Sequence, residues 1–527
     1  VGAQSMSSSD GRYILAYNGE LYNHAEFRRE LQSDGVCFRG RSDTETLLWL
    51  LIRRGEEVLP SLNGIFAFAF YDIQTRRLLL ARDHMGVKPL YYCWGRDGRL
   101  LFASEIKALL ATGECVARLN KDDIAELLMF HFIAGDRTAF EGVHELPPGH
   151  LMRSAGTSRE IARFWNPVPQ EVDAPAAAES CGRIRELVRA AVRRQLMSDV
   201  PVGMMCSGGV DSGIVASFVG SEGGGMAGFC FRDPDLGYDE LEDARSICEP
   251  NGISVEDVRI PAEEVPDLMW KLTWHYDEPI PRPHHLAAFA VARRARAAGL
   301  KVLLSGEGGD ELFGGYRRYV EIAALVGDNG DLSALVFGHN RVAMPRVARL
   351  LRDEPRLSNP YRAECARQTD GLDLINRQLL IDQQTFLQHF LQRSDRMGMA
   401  ASIEMRVPLL DLDLVEYTNR RPGCEKIQGD ATKIGLKSAA RGILPAAILD
   451  RPKRSFDMPM APMLQRGPMA EFLDDMLMSS PRCGPLFGTN AIAGMVRDFR
   501  NGAEDLWKVI WMVLATEVWM RVFRVEA

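Results

Sequence analysis

The sequence predicts an α/β and α+β protein built from two unlike parts. Three observations carry that prediction. Strand-like runs separated by turns fill residues 11–117, strands and helices alternate between Cys181 and Leu304, and a Pro- and Ala-rich stretch lies between the two patterns. The expected units are residues 1–165, a linker over 166–179, and residues 180–527.

In the first unit, Arg12–Tyr17 and Ile65–Tyr71 alternate with the period of a strand, and Glu45–Arg54 (ETLLWLLIRR) has the spacing of an amphipathic helix. After Trp165, Asn166-Pro167-Val168-Pro169 and the Ala/Pro run through Ala178 predict a linker. A helix is then expected over Cys181–Met197, a strand over Val202–Cys206, a glycine-rich turn, and a helix over Asp211–Val219. Strand-like runs follow at Met226–Phe231, Ser254–Val258 and Lys301–Leu304. They are separated by helical stretches at Tyr238–Cys248, Glu263–Tyr276 and His284–Ala298. Such alternation implies right-handed crossovers and a parallel sheet. From about Leu332 the chain reads as mostly helical; there is no internal repeat, and Gly223-Gly224-Gly225 is a loop.

The 527 residues are 46% hydrophobic and 25% charged, which excludes disordered and collagen-like classes. A net charge of -8 argues against a protein that grips nucleic acid. No apolar run approaches the ~18 residues of a membrane span; Val509–Ala515 is bracketed by Lys508 and Glu517. Ten cysteines lie far apart without a C-x-x-C pair, so unpaired, mostly buried thiols in a reducing cytoplasm are expected. The start, Val1 to Met6, has no signal-peptide pattern. Arg293-Arg294-Ala295-Arg296 reads as a solvated helix face, and Trp507, Trp511 and Trp519 as packing residues.

Chemistry concentrates in two loops. Ser207-Gly208-Gly209-Val210-Asp211-Ser212 lies between a strand and a helix, where glycines, serine hydroxyls and a helix N-terminus favour an anion. Asp211 would repel phosphate unless a cation lay between them, which points to magnesium and pyrophosphate; a helix-capping turn is the plainer alternative. Ser305-Gly306-Glu307-Gly308-Gly309-Asp310-Glu311-Leu312-Phe313-Gly314-Gly315-Tyr316 follows another strand, at the strand end where open α/β sheets bind ligands.

In this order the two loops resemble the synthetase half of the glutamine-dependent asparagine synthetase family. Gln195–Gly203, Arg396-Met397, Ser402–Asp411 (resembling a helical segment of the family), Thr432-Lys433, Lys437 and Arg451–Phe456 agree. Tyr17–Asn23, Ser42–Glu45, Arg82-Asp83 through Gly86, Pro89–Tyr92 and Ser104–Lys107 are similar to its glutaminase domain. The resemblance implies an Ntn-hydrolase-type αββα sandwich, incomplete at its start, followed by a parallel-sheet ATP pyrophosphatase domain with a helical C-terminal part. It implies a ligase that uses ATP and Mg2+ to form an acyl-adenylate, which ammonia converts to an amide. Asp211 and Asp310 would hold magnesium; Ser207, Gly208, Gly209 and Ser212 would cradle pyrophosphate; Met205, Phe231, Ser305 and Gly306 would line the AMP site. For Met205 and Phe231 simple core packing is an equal reading. Glu307 would stand near the acyl carbon, and Lys453 would balance charge at phosphorus. Asn18 and Gly19 would form an oxyanion hole, with Glu20 and Asp43 binding the α-amino group of glutamine. The expected partners are glutamine or ammonia, a carboxylate acceptor and a second copy of the chain in a homodimer, without nucleic acid or membrane.

Two departures stand out. Family members begin with a nucleophilic cysteine, whereas this chain begins at Val1, and Gly2-Ala3-Gln4 resembles a point inside the glutaminase domain. A sequence cut short at its start and a natural ammonia-dependent enzyme are both open, and the sequence as it stands is not expected to hydrolyse glutamine. The acceptor segment reads Pro281-Arg282-Pro283-His284-His285 in place of an arginine followed by small hydroxyl residues. Arg282 can clamp a carboxylate, and His284 and His285 would reshape the pocket floor or simply start a helix. Aspartate is the leading acceptor; a sugar acid, peptide or natural-product carboxylate is the alternative. A tRNA-modifying relative is disfavoured by the acidic charge. A silent partner protein is disfavoured because Asp211 and Asp310 are both present.

Overall fold

Period-two patterning in the first unit becomes two stacked antiparallel sheets in the computed structural model, which describes residues 4–156, 158–173, 177–222, 225–324, 351, 359–451, 453 and 458–526. The strands are β1 (Met6–Ser7), β2 (Tyr13–Leu21), β3 (Gly64–Asp72), β4 (Arg77–Arg82), β5 (Tyr91–Trp94), β6 (Leu100–Ala103), β7 (Val143–Glu145), β8 (His150–Ala155) and β9 (Ser158–Arg163). One sheet has the order β1-β2-β3-β4-β8-β9 and the other β6-β5-β7. Alternation along β3 sends Phe66 and Phe68 towards the helices His24–Ser33 and Asp43–Arg54, and Ala67 and Ala69 towards Leu90, Tyr92 and Leu146 of the smaller sheet's side. Tyr91 and Cys93 face the other way, onto the helices Ile106–Leu110 and Lys121–Phe130. The result is the expected helix–sheet–sheet–helix layering. The helix expected over Glu45–Arg54 starts two residues earlier, at Asp43, because Ser42 accepts the Glu45 N–H, and Gly55, at φ 61°, ends it.

Among the described residues the second unit has five parallel strands, adding β10 (Val202–Met205), β11 (Met226–Phe231), β12 (Ile253–Val258), β13 (Val302–Leu304) and β14 (Glu404–Arg406) in the order β12-β11-β10-β13-β14. Both faces are buried, as parallel sheets require: Phe229 and Phe231 enter one core, Cys230 the opposite one. The chain runs outward from β10 to β12 and returns to β13 on the other side of β10. The gap between β10 and β13 is therefore the topological switch point, and the two glycine-rich loops follow these two strands.

Two expectations are corrected. Cys93 and Cys115 are joined by a disulfide, because the β5–β6 hairpin and the short helix after it return residue 115 to β5; linear spacing of 22 residues hid this. Cys206, Cys230, Cys248, Cys365 and Cys483 are buried free thiols, as expected. Ser402–Asp411 is not a helical segment: the Phe386–Ala400 helix ends where Ser402 turns left-handed (φ 58°), and β14 and a 3₁₀ turn at Pro408–Leu410 follow. Three residues are too few to show a strand period.

Trp511 and Trp519 are buried on the Trp507–Val522 helix and donate to the carbonyls of Ile280 (3.0 Å) and Asp277 (2.9 Å), while Arg293 and Arg294 face solvent. Residues 166–173 form no helix or strand. Among the described residues no helix is long and apolar enough to cross a membrane. Val1–Ala3, 174–176, Gly223-Gly224, the stretches 325–350 and 352–358, Pro452 and Arg454-Ser455-Phe456 lie outside the described residues.

Buried polar contacts join the units. Lys88 Nζ meets Asp395 at 2.8 Å, both nearly without exposure, and Asp277 accepts the Ile106 N–H (2.8 Å) while facing Lys107 Nζ at 2.8 Å. Glu278 accepts the Ala139 N–H at 2.7 Å. Because truncating one partner strands a buried charge, Asp395→Ala should destabilise the protein by about 3–5 kcal/mol in urea unfolding; Lys88→Met with Asp395→Leu should recover most of that loss.

Candidate active site

The two switch-point loops touch. A Cβ on Gly306 would fall 2.5 Å from the Ser212 amide nitrogen, and one on Gly309 would fall 2.5 Å from Asp211 Oδ1, so only glycine lets the backbones approach this closely. The first loop closes on itself: the Ser207 and Ser212 hydroxyls are 2.7 Å apart, and the Gly209 N–H donates to Ser207 Oγ at 3.3 Å. Gly209 caps the Val210–Ser221 helix without a side chain to occupy its first-turn amides. Arg451 braces the loop from outside by donating to the Gly208 carbonyl and the Asp243 carboxylate.

Asp211 and Asp310 are brought together by Lys433, whose ammonium pairs with Asp211 and lies 2.6 Å from Asp310 Oδ1; Lys453 also pairs with Asp310. Burial pushes the Asp310 carboxyl up, but Lys433 and Lys453 outweigh it and hold the group well below the usual carboxylate range. Burial likewise opposes the charge on Lys433, and the two carboxylates overcome it and raise its pKa. Next to Asp310, Glu311 is pushed up to about 7, first by burial and then by Asp310's charge. Glu307 is held by Arg393 and by the Ser394 hydroxyl at 2.5 Å.

A cavity of about 450 Å³ joins these groups; Met205, Phe231, Arg282, Gly306, Glu307 and Lys453 line it with the first loop. Phe231 stacks on Tyr238 at 6.2 Å. The two histidines of the acceptor segment separate: His284 lines the cavity, whereas His285 is fully buried, edge-on to Tyr276 at 4.5 Å, with burial lowering its pKa to about 3. Ser305 is also fully buried behind the cavity wall, its N–H donating to the Arg406 carbonyl at 2.9 Å.

The donors suit magnesium bound together with phosphate. Asp211 Oδ1 is buried and accepts no hydrogen bond among the described residues. No cluster of three or more metal-ligating side chains occurs among them either, so phosphate oxygens and water would complete the shell, as magnesium favours.

A second cluster sits on β2. Asn18 Nδ2 donates to Ser104 Oγ (3.3 Å), and a Cβ on Gly19 would overlap the Ile65 carbonyl at 2.0 Å. Asp43 accepts from the Tyr17 hydroxyl (2.9 Å) and the Leu21 N–H (3.0 Å). Glu20 is raised to about 7 by burial and then by Asp43, against the pull of Arg406 at 3.6 Å. Arg406 thereby spans both clusters. Its guanidinium reaches Glu20 and donates to the Gln195 and Met197 carbonyls at 2.7 Å, while its own carbonyl holds Ser305.

A sequence model of asparagine synthase matches residues 183–521, and one of a glutamine amidotransferase domain matches residues 1–165. The chain belongs to the asparagine synthase family. It is 29% identical to "Asparagine synthetase [glutamine-hydrolyzing] 1" of Bacillus subtilis, over 98% of this chain and 87% of that protein. It is 30% identical to a "Putative asparagine synthetase [glutamine-hydrolyzing]" of Mycobacterium bovis, over 97% of this chain and 85% of that protein. It is also 33% identical to "Amidase chyE" of Penicillium rubens, over 60% of this chain and 49% of that protein.

Several site residues of this asparagine synthase family member were not singled out from sequence. Lys433 and Arg451 appeared only within motifs, and Glu240, whose carboxylate accepts the Gly208 N–H at 3.3 Å, carried no signal. Phe386, Phe390 and Arg393 line the cavity from one helix, and their i, i+4, i+7 spacing was readable.

If the two carboxylates fit magnesium, Lys433→Met should leave a stronger cation site. Its Tm should rise on adding MgCl2 by more than the parent's does, as read by a thermal shift assay without nucleotide.

Proposed function

We propose that the chain is an ATP-dependent ligase that activates a carboxylate as an acyl-adenylate and converts it to an amide with ammonia, drawn from glutamine where its glutaminase site is complete. The observation that carries this reading is the meeting of a serine- and glycine-rich anion loop with two lysine-braced carboxylates at the switch point. The acceptor oxygen would attack the α-phosphorus while the bond to the β-phosphate oxygen breaks and pyrophosphate leaves. Ammonia would then attack the acyl carbon, AMP would depart, and the nitrogen would shed a proton.

Ser207, Gly208, Gly209 and Ser212 would hold the leaving pyrophosphate through hydroxyls and amides. Magnesium held by Asp211 and Asp310 would neutralise the charge that leaves with it. Lys453 would face the developing charge at phosphorus. Met205, Phe231 and Gly306 would contact AMP, with Ser305 supporting them from behind, and Glu307, fixed by Arg393 and Ser394, would stand beside the acyl carbon. Residues 1–165 would form the glutaminase unit, with Asn18 and Gly19 as oxyanion donors and Glu20 and Asp43 facing the glutamine ammonium. The linker would be 166–179 and the ligase unit 180–527. The names of the bacillary and mycobacterial relatives favour aspartate as the acceptor; a homodimer in the cytoplasm is what the family resemblance implies.

With Mg-ATP, ammonium and an accepted acid, Asp211→Asn and Asp310→Asn should each lower pyrophosphate release about 10²–10³-fold while the fold persists by circular dichroism. Asp43→Ala, in the other cluster, should leave ammonium-dependent turnover unchanged. Parent-like release by both site variants would refute the magnesium assignment. Glu20 at about 7 sets a pH dependence: below that value it is protonated and loses its attraction for an ammonium. Glutamine binding by calorimetry should therefore weaken from pH 8 to pH 6, and Glu20→Gln should flatten the profile.

A further inference from the structure

Part of the cavity lining is an aromatic wall from Tyr316, Phe386 and Phe390. Phe386 and Phe390 lie one helical turn apart, 4.9 Å between ring centres and nearly perpendicular, and Tyr316 meets Phe386 edge-on at 5.8 Å. The Arg318 guanidinium lies 4.5 Å from both the Tyr316 and Phe386 rings, and Arg393 lies 4.9 Å from Phe390 while gripping Glu307. All five side chains line the cavity that holds the two glycine-rich loops. Aromatic faces backed by guanidinium groups suit a flat ring and offer little to a short aliphatic acid.

An amino-acid acceptor also needs an anion for its ammonium, and among the described residues each carboxylate lining the cavity already pairs with a cation or a hydroxyl. Glu307 is held by Arg393 and Ser394, Asp310 by Lys433 and Lys453, and Asp211 by Lys433. Glu311 accepts from the Tyr316 hydroxyl at 2.6 Å, and Glu240 from Tyr238 at 3.2 Å and the Gly208 N–H. Arg282 and His284, at the start of the His284–Ala297 helix, add polar edges suited to ring substituents.

Resting on the ligase reading above but departing from aspartate, which only the relatives' names favour, we propose that the acceptor is a carboxylic acid carried on a ring and lacking an ammonium group, its ring lying on Tyr316, Phe386 and Phe390. An aromatic acid presents a π face and a sugar acid a C–H face, and both satisfy this chemistry. The test is pyrophosphate release by the full chain with Mg-ATP and ammonium, supplied separately with aspartate, phenylacetate or glucuronate. A ring acid should exceed aspartate at least tenfold in kcat/KM, and the responding arm names the ring type. Phe390→Ala should raise KM for that acid about tenfold with a smaller change in kcat, and Phe390→Leu, which preserves packing, should do the same. Turnover with aspartate alone, or a KM unmoved in both variants, overturns the inference and leaves the ligase reading standing. No release with any acid from a chain that binds ATP overturns the ligase reading and the inference with it.

Discussion

One buried ammonium between two carboxylates holds the cavity in its form. Asp211 and Asp310 come from loops nearly a hundred residues apart in sequence, and two carboxylates drawn into the same low-dielectric space would otherwise repel or protonate. Lys433 pairs with both and Lys453 adds a second cation on Asp310, so Asp310 stays ionised despite burial. The desolvation of these charges is large, and the cluster stands because each is met at close range. Its form also explains the glycines. A side chain at Gly306 or Gly309 would push the loops apart and take the carboxylates out of reach of a shared cation.

That cluster lies where it does because of strand order. β10 and β13 are neighbours in space but are separated in sequence by three crossovers, the helix after β10 (Val210–Ser221) packing in one core and the helix before β13 (His284–Ala297) in the other, so the strand order reverses between them. The first unit's alternating strands produce the other cluster by simpler means. β2 sets Asn18 and Glu20 near the N-terminus of the Asp43–Arg54 helix, whose first residue supplies the second carboxylate.

Much of this was legible in the sequence where local pattern and tertiary structure agree. Met226–Phe231 became β11 without a residue's change, and the loops at Ser207 and Ser305 sit at the strand ends where their glycines place them. The illegible parts depend on long-range closure. β14 has three residues, and its pairing with β13 makes it a strand. The Cys93–Cys115 bond follows from a hairpin's return path, and His285 turns away from the cavity because the His284–Ala297 helix rotates its second residue towards Tyr276. Lys433 was visible as a motif letter, but its role between two carboxylates comes only from the fold.

Arg406 has a consequence for how the chain can be divided. Its backbone belongs to the parallel sheet and its guanidinium to the cluster on β2, and Lys88–Asp395 and the Asp277 contacts cross the same boundary. Expressed as separate polypeptides, the two units would each present desolvated charges and unsatisfied amides to water along the severed face. Reassembly would have to bury those charges again in the right register. A protein joined in this way behaves as one cooperative body, and nicking its linker would be tolerated far better than removing either half.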